Sequence, residues 1–234
     1  MKDKIVFVDI DDTLLDFEAY TKLALENGFS HFGLKEYEPS DYAVFQEING
    51  ELWRMIERGE LTFAELEKRR FNDVFAALGI DFDGEEFERY FRSELQTSAI
   101  PVSGAYEMLE ELSKSCVLCA ASNGPYEQQM RRLTQADMAK YFDFLFISEK
   151  IGASKPSKEF FSAAFNTLEN SLGKKIAPQD TLIVGDSLTS DIKGGSDFGM
   201  QTCYFNRNNK PLDKTVPTYI VEKLEKVKEI AFFN

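Results

Sequence analysis

The chain has 234 residues, 43% of them apolar and 21 of them Phe, and a formal net charge of −13. A chain of this length can bury about 70% of its unfolded surface, as one large domain or as a core with an insertion. The charge excludes nucleic acid and anionic membranes as natural partners, because no stripe of Lys and Arg offsets it, while small phosphate esters need only a local positive pocket or a metal.

The first element, Ile5-Val6-Phe7-Val8, is apolar without polar alternation and runs straight into Asp9, Asp11 and Asp12. Such a run reads as a central strand buried on both faces. It delivers carboxylates to the carboxyl edge of a parallel sheet, where open α/β sheets bind ligands. Strand alternation would aim Asp9 and Asp11 the same way, so that both face one substrate or one cation. Asp-rich turns also cap helices, and the stretch taken alone fits that use as well. A calcium loop counted from Asp9 fails, with Leu14 and Tyr20 where Gly and Glu belong.

From 16 to 100 the pattern is helical. Phe17, Tyr20, Leu23 and Ala24 fall at helical spacing, as do Phe45, Ile48, Leu52 and Met55, then Leu66, Phe71, Val74, Phe75 and Leu78. Breaks at Gly33, Pro39, Gly59 and 79–84 divide the segment into four or five helices, an inserted module whose acidic stretch 83–88 reads as solvated surface. Phe17, Tyr20, Phe45 and Trp53 could serve the module's own core or stack on a base. His31, the single histidine, reads as structural, which leaves no zinc site and no Ser/His/Asp triad.

The α/β pattern resumes after Pro101. A helix over 105–113 leads into a strand over 117–121, which ends in Ser122-Asn123-Gly124-Pro125. A hydroxyl and free N–H groups at a strand-to-helix turn suit phosphate oxygens, or an ordinary helix cap. Cys116 and Cys119 point to opposite faces of that strand, which argues against a redox or metal pair. A strand over 141–148 precedes Lys155-Pro156, where the proline restrains the lysine and aims it, and a helix over 157–168 follows. The strand over 181–184 again ends in acid, at Gly185-Asp186, with Asp191 shortly after. Strands over 201–205 and 219–221 and a closing helix over 224–230 complete an α/β, doubly wound parallel sheet. Neither a P-loop nor a dinucleotide fingerprint is present.

Brought to one edge, Asp9, Asp11, Ser122, Lys155 and Asp186 supply three carboxylates, a hydroxyl and an ammonium. Clustered carboxylates repel and need a cation, and hard oxygen ligands of this kind describe a Mg²⁺ site. The motifs Asp9-Ile10-Asp11-Asp12-Thr13, Ser122, Lys155-Pro156 and Gly185-Asp186 with Asp191 occur in the order of the four motifs of the haloacid dehalogenase-like (HAD) hydrolase superfamily, which the chain resembles over essentially its whole length. Segment 16–100 is similar to that superfamily's helical type 1 cap, inserted in a Rossmann-like core of 1–15 and 101–234. Within the superfamily the chain looks most like the pyrimidine 5'-nucleotidases.

The resemblance implies a Mg²⁺-dependent phosphomonoesterase with Asp9 as nucleophile and Asp11 as acid and base. It places the metal on Asp9, the Asp11 backbone carbonyl and Asp186, with Asp191 as a brace. Lys155 would be catalytic, aiding the cation in neutralising charge, and would bind phosphate; Thr13 and Ser122, with the Asn123 backbone, would position phosphate or the acidic loop, and the cap would close over the pocket and set specificity. Asp11 argues against dehalogenation, which has no leaving alkoxide to protonate. A phosphatase or phosphomutase of sugar phosphates or other small metabolites is the alternative, as is a phosphorylatable regulatory module, although such modules are shorter and lack a cap. The expected partner is a small phosphorylated metabolite, the expected assembly a monomer or small homo-oligomer. The first apolar run is shorter than a signal peptide's and no stretch approaches 18 apolar residues, so a cytoplasmic location is expected.

Overall fold

The computed structural model describes residue 2, residues 4–212 and residues 214–232. The chain divides into two compact units, Met1–Asp16 with Ala99–Asn234, and Phe17–Ser98. Among the described residues no helix is long and apolar enough to cross a membrane.

The first unit is a six-stranded sheet in the order β3-β2-β1-β4-β5-β6, with every neighbouring pair parallel. The strands are β1 (Lys4–Val8), β2 (Cys116–Ser122), β3 (Phe144–Ile147), β4 (Thr181–Gly185), β5 (Gln201–Phe205) and β6 (Tyr219–Val221). Because side chains alternate across a strand, β1 feeds two cores: Val6 and Val8 pack on one face, Ile5 and Phe7 on the other. Burial on both sides is why this strand reads as an unbroken apolar run. The helical unit's segments α1 (Phe17–His31), α2 (Pro39–Glu57), α3 (Phe63–Leu78) and α4 (Gly84–Thr97) fall between β1 and α5 (Ala105–Ser113) in the chain. Helix α5 covers the Val6 face together with α6 (Tyr126–Gln135) and α10 (Val227–Phe232). The short α7 (Ser148–Ile151) follows β3; α8 (Lys158–Leu172) covers the Phe7 face, and α9 (Lys193–Phe198) adds Phe198 there. Cys116 and Cys119 lie in opposite cores as free, buried thiols.

The chain winds outward from β1 through β2 to β3, then returns to β4 on the other side of β1 and winds outward again. The loops after β1 and β4 therefore part in opposite directions, which opens a crevice at the carboxyl ends of these two strands.

In the helical unit Phe29, Phe45, Phe71, Phe75, Phe87 and Phe91 are all buried. Phe71 sits among Phe45, Phe75, Phe87 and Phe91 at ring-centroid distances of 5.6, 5.9, 4.6 and 5.2 Å. Phe45 and Tyr20 are thus consumed by the unit's core, Tyr20 donating its hydroxyl to the Phe91 carbonyl, while Phe17 and Trp53 stay half-buried. His31 is exposed at the end of α1, its ring against Phe32 and Tyr90. The acidic stretch 83–88 departs from the expectation of solvated surface at Glu88, while Asp83, Glu85 and Glu86 are exposed. Asp83 caps α4 by accepting from Glu85 N and Glu86 N, and Glu88 is buried with both carboxylate oxygens on the Arg70 guanidinium. A helical pattern conceals this pair because Arg70 and Glu88 stand on different helices and meet only on packing.

Phe7, fully buried, stacks between Phe146 and Phe165 at 5.7 and 5.8 Å. Replacing it with Ala is expected to destabilise the chain by about 3–5 kcal/mol in denaturant unfolding, the range for deleting a buried aromatic ring. A cost below about 1 kcal/mol would mean that this layer is not packed as described.

Candidate active site

Strand β1 stops at Val8, and Asp9 takes its backbone hydrogen bond from the neighbouring strand, N–H to Val184 O at 2.9 Å. The loop then curls back, with Leu14 N and Leu15 N both donating to Ile10 O. Strand alternation therefore does not carry through to Asp11. Asp9 is directed to a buried lysine, whereas the Asp11 carboxylate engages α6. Asp12 occupies the left-handed region at φ 59°, a conformation Asp tolerates better than most residues, and its carboxylate accepts from Arg207 Nη2 at 2.7 Å. Arg207 also holds Asp16 at 2.7 Å, fixing the far side of the same loop.

The Lys155 ammonium, 1% exposed, donates to Asp9 Oδ1 at 2.7 Å, Asp191 Oδ1 at 2.6 Å and the Ala121 carbonyl at 2.6 Å. Those three bonds use all of its donors. Its backbone is held by the Asn123 side chain, which accepts from Lys155 N and donates to Lys155 O, both at 2.8 Å. Asn123 thereby spends its amide on the lysine loop, and the proline that follows is joined by a cis peptide bond. Asp191 is fully buried in the short helical segment Leu188–Ile192 after β4 and also accepts from Ser187 N. The end of β4 needs a glycine: a Cβ on Gly185 would lie 2.2 Å from the Asp191 carboxylate.

One carboxylate oxygen from each of Asp9, Asp186 and Asp191 lies within 4.8 Å of the others. Three clustered carboxylates and one ammonium, which reaches two of them, leave an excess of negative charge, which fits a divalent cation with oxygen ligands. Burial pushes the Asp9 carboxyl from 3.8 up to about 8; Lys155 opposes this, and Asp191 and Asp11 add to it. Asp186, half-buried, is likewise raised well above its usual range, by burial and by Asp12, Asp9 and Asp191. Burial alone would lower Lys155, but Asp191 and Asp9 more than offset it and hold its ammonium charged.

Ser122, at the end of β2, accepts from Gly124 N at 3.1 Å and from Gln129 Nε2 at 2.7 Å. Thr13 is fully buried, and its hydroxyl has no hydrogen-bond partner among the described residues. The structure thus gathers Asp9, Asp11, Thr13, Ser122, Asn123, Lys155, Asp186 and Asp191 at one sheet edge. Sequence reasoning missed Gln129, Arg132 and Arg207. The only signal for the first two was a polar pair at helical spacing beside Leu133, on the face that α6 turns inward.

A family model described as haloacid dehalogenase-like hydrolase matches residues 4–199. The chain belongs to the haloacid dehalogenase-like hydrolase family. It is 33% identical to YfnB of Bacillus subtilis, named as a HAD-hydrolase, over 97% of this chain and 94% of that one. It is 32% identical to the pyrimidine 5'-nucleotidase PynA of Streptococcus pneumoniae, over 93% and 90% of the two chains. Escherichia coli YjjG, also a pyrimidine 5'-nucleotidase, is 27% identical over 98% of each. A crystal structure of YfnB bound to magnesium matches this fold with a TM-score of 0.88 at 32% identity, covering 100% of both chains.

In this HAD hydrolase the raised Asp9 value has a consequence for stability. A carboxyl that binds its proton more tightly folded than unfolded stabilises fully below its unfolded value near 3.8, and that contribution is lost as pH rises through about 8. In chelator the thermal midpoint is expected to fall between about pH 5 and pH 9, less steeply in Asp9→Asn. A divalent cation competes with the same proton, so added Mg²⁺ should raise the midpoint more at about pH 8.5 than at about pH 6. The opposite order in a thermal-shift series would contradict this electrostatic account of the cluster.

Proposed function

We propose that the chain is a Mg²⁺-dependent phosphomonoesterase that works through an aspartyl phosphate on Asp9 and acts on nucleoside 5'-monophosphates. The observation that carries the reading is the buried Asp9–Lys155–Asp191 arrangement with Asp186 beside it and Asp11 two residues further on. The identity to PynA and YjjG, both named pyrimidine 5'-nucleotidases, supports the substrate class.

The cation, held by Asp9 and Asp186 with Asp191 alongside, would neutralise charge on the transferring phosphoryl group. The residues of the chain do the rest. An Asp9 carboxylate oxygen forms a bond to phosphorus while the ester P–O bond breaks, and Asp11 gives a proton to the leaving alkoxide. Asp11 then takes a proton from water, whose oxygen attacks phosphorus and displaces Asp9 as the free carboxylate. The Lys155 ammonium offsets the charge that gathers when an anion attacks a phosphate. Ser122, with both lone pairs already engaged, has its hydrogen left to offer a phosphate oxygen.

A second reading, a sugar-phosphate phosphatase, is favoured by the 25% identity to the glyceraldehyde 3-phosphate phosphatase of Pyrococcus furiosus over 97% of this chain. A panel of phosphate esters with Mg²⁺ separates the two. Nucleoside monophosphates are expected to lead, and sugar phosphates turning over far faster would transfer the assignment to the second reading. On an aryl phosphate, Asp9→Asn and excess chelator should each lower turnover by at least about 1,000-fold, as expected when a nucleophile or its charge partner is removed. Undiminished turnover in either case would overturn the proposed mechanism.

A further inference from the structure

Two buried side chains of α6 reach the acidic loop, and the mechanism above makes no use of them. Gln129 is fully buried and Arg132 is 1% exposed, although both are polar and one is charged. Gln129 Nε2 donates to Asp11 Oδ2 at 2.6 Å and to Ser122 Oγ at 2.7 Å, and its Oε1 accepts from Arg132 Nη1 at 3.0 Å. Arg132 Nη1 also donates to Asp11 Oδ1. The amide orientation is fixed by chemistry: a guanidinium only donates and a carboxylate oxygen accepts, so nitrogen must face Asp11 and oxygen must face Arg132.

We propose that Gln129 and Arg132 are positioning residues that set where the Asp11 carboxylate stands for proton transfer, and that Gln129 locks this position to Ser122. The proposal rests on the phosphomonoesterase reading. Each Asp11 oxygen has its own donor, one from Gln129 and one from Arg132, so the carboxylate is held against rotation about its last bond. An acid that must meet a leaving oxygen at hydrogen-bond distance gains from being held in this way. Gln129 gives its two amide hydrogens to Asp11 and Ser122. The proton donor and the hydroxyl offered to phosphate are thereby kept at a fixed separation, one for each side of the ester bond that breaks.

A separate observation points the same way. A Cβ on Gly124 would lie 2.6 Å from Gln129 Nε2 and 2.9 Å from Gln129 Cδ, and Gly124 does not have the positive φ that would itself demand glycine. Glycine at 124 makes room for the Gln129 amide to reach Ser122 and Asp11. The Ser-x-Gly turn and the Gln-x-x-Arg of α6 thus form one device, spanning two elements that Asp11 joins from 118 and 121 residues away.

The readout that separates positioning from mere stability is the leaving group. An alkoxide needs a proton as it departs, while 2,4-dinitrophenolate leaves as an anion, and kcat/KM reports only the steps up to its departure. With Mg²⁺ and the full chain, kcat/KM is measured for 2,4-dinitrophenyl phosphate and for the alkyl phosphate that the wild type hydrolyses fastest. In Arg132→Met, Gln129→Leu and Gly124→Ala the ratio of the first to the second is expected to rise by about 10- to 1,000-fold, a partial loss of the roughly 100- to 10,000-fold that proton transfer contributes. Arg132→Lys should recover part of the loss, since an ammonium can still hold one Asp11 oxygen. Gly124→Ala keeps the buried Arg132 in place, so it supplies the readout should Arg132→Met fail to fold. Equal losses on both esters, an unchanged ratio, or a gain on the alkyl ester would overturn the proposal. A wild type inactive on both esters would instead overturn the phosphomonoesterase reading on which it stands.

Discussion

The ammonium of Lys155 has to be neutralised where it sits, because at 1% exposure water cannot solvate it and an unpaired buried charge costs several kcal/mol. Two carboxylates and a carbonyl do so, and they come from three places: Asp9 after β1, Asp191 after β4 and Ala121 in β2. One side chain therefore ties together the loops that the parallel sheet brings to its carboxyl edge. The converse also holds, since without that ammonium Asp9 and Asp191 could not both stay buried as anions side by side. Much else at this edge follows from keeping the lysine in place, from the Asn123 amide that grips its backbone to the glycine at 185 that leaves room for Asp191.

This arrangement is only partly neutral. Asp186 adds a third carboxylate that Lys155 does not reach, which leaves a shortage of positive charge; burial first, and the neighbouring carboxylates with it, raise Asp9 to about 8 and Asp186 well above its ordinary range. A site in that condition is ready for a divalent cation, which would replace the protons the carboxylates otherwise hold. The same shortage makes a phosphate dianion a poor visitor unless the cation arrives too. Chemistry and stability are thus linked: the groups that would transfer phosphate are those whose repulsion weakens the cation-free fold at high pH.

How much of this could be read from the residues alone depended on distance along the chain. The sheet was legible because β1 and β4 are apolar runs that stop in acid, and because a parallel sheet must bring such ends to one edge. Lys155 was legible through its proline, although the Asn123 bracket that fixes it spans 32 residues and left no local trace. Arg132 and Gln129 were opaque for the same reason. On α6 they pass for the polar face of an amphipathic helix, and only packing shows that this face is turned inward. Asp12 could not be placed until Arg207, 195 residues later, was seen to hold it. Glu88 was misjudged as surface because its neighbours are acidic, while its partner Arg70 lies on another helix.

The central claim is that the phosphoryl group passes through Asp9. Rapid acid quench of the enzyme with a phosphorus-labelled substrate, followed by borohydride reduction and peptide mass spectrometry, reads the acceptor directly. The account predicts that label is trapped with Mg²⁺ present and that residue 9 alone is converted to homoserine. Label on Asp11, Asp186 or Asp191, or turnover at full rate with no label on any carboxylate, would contradict it.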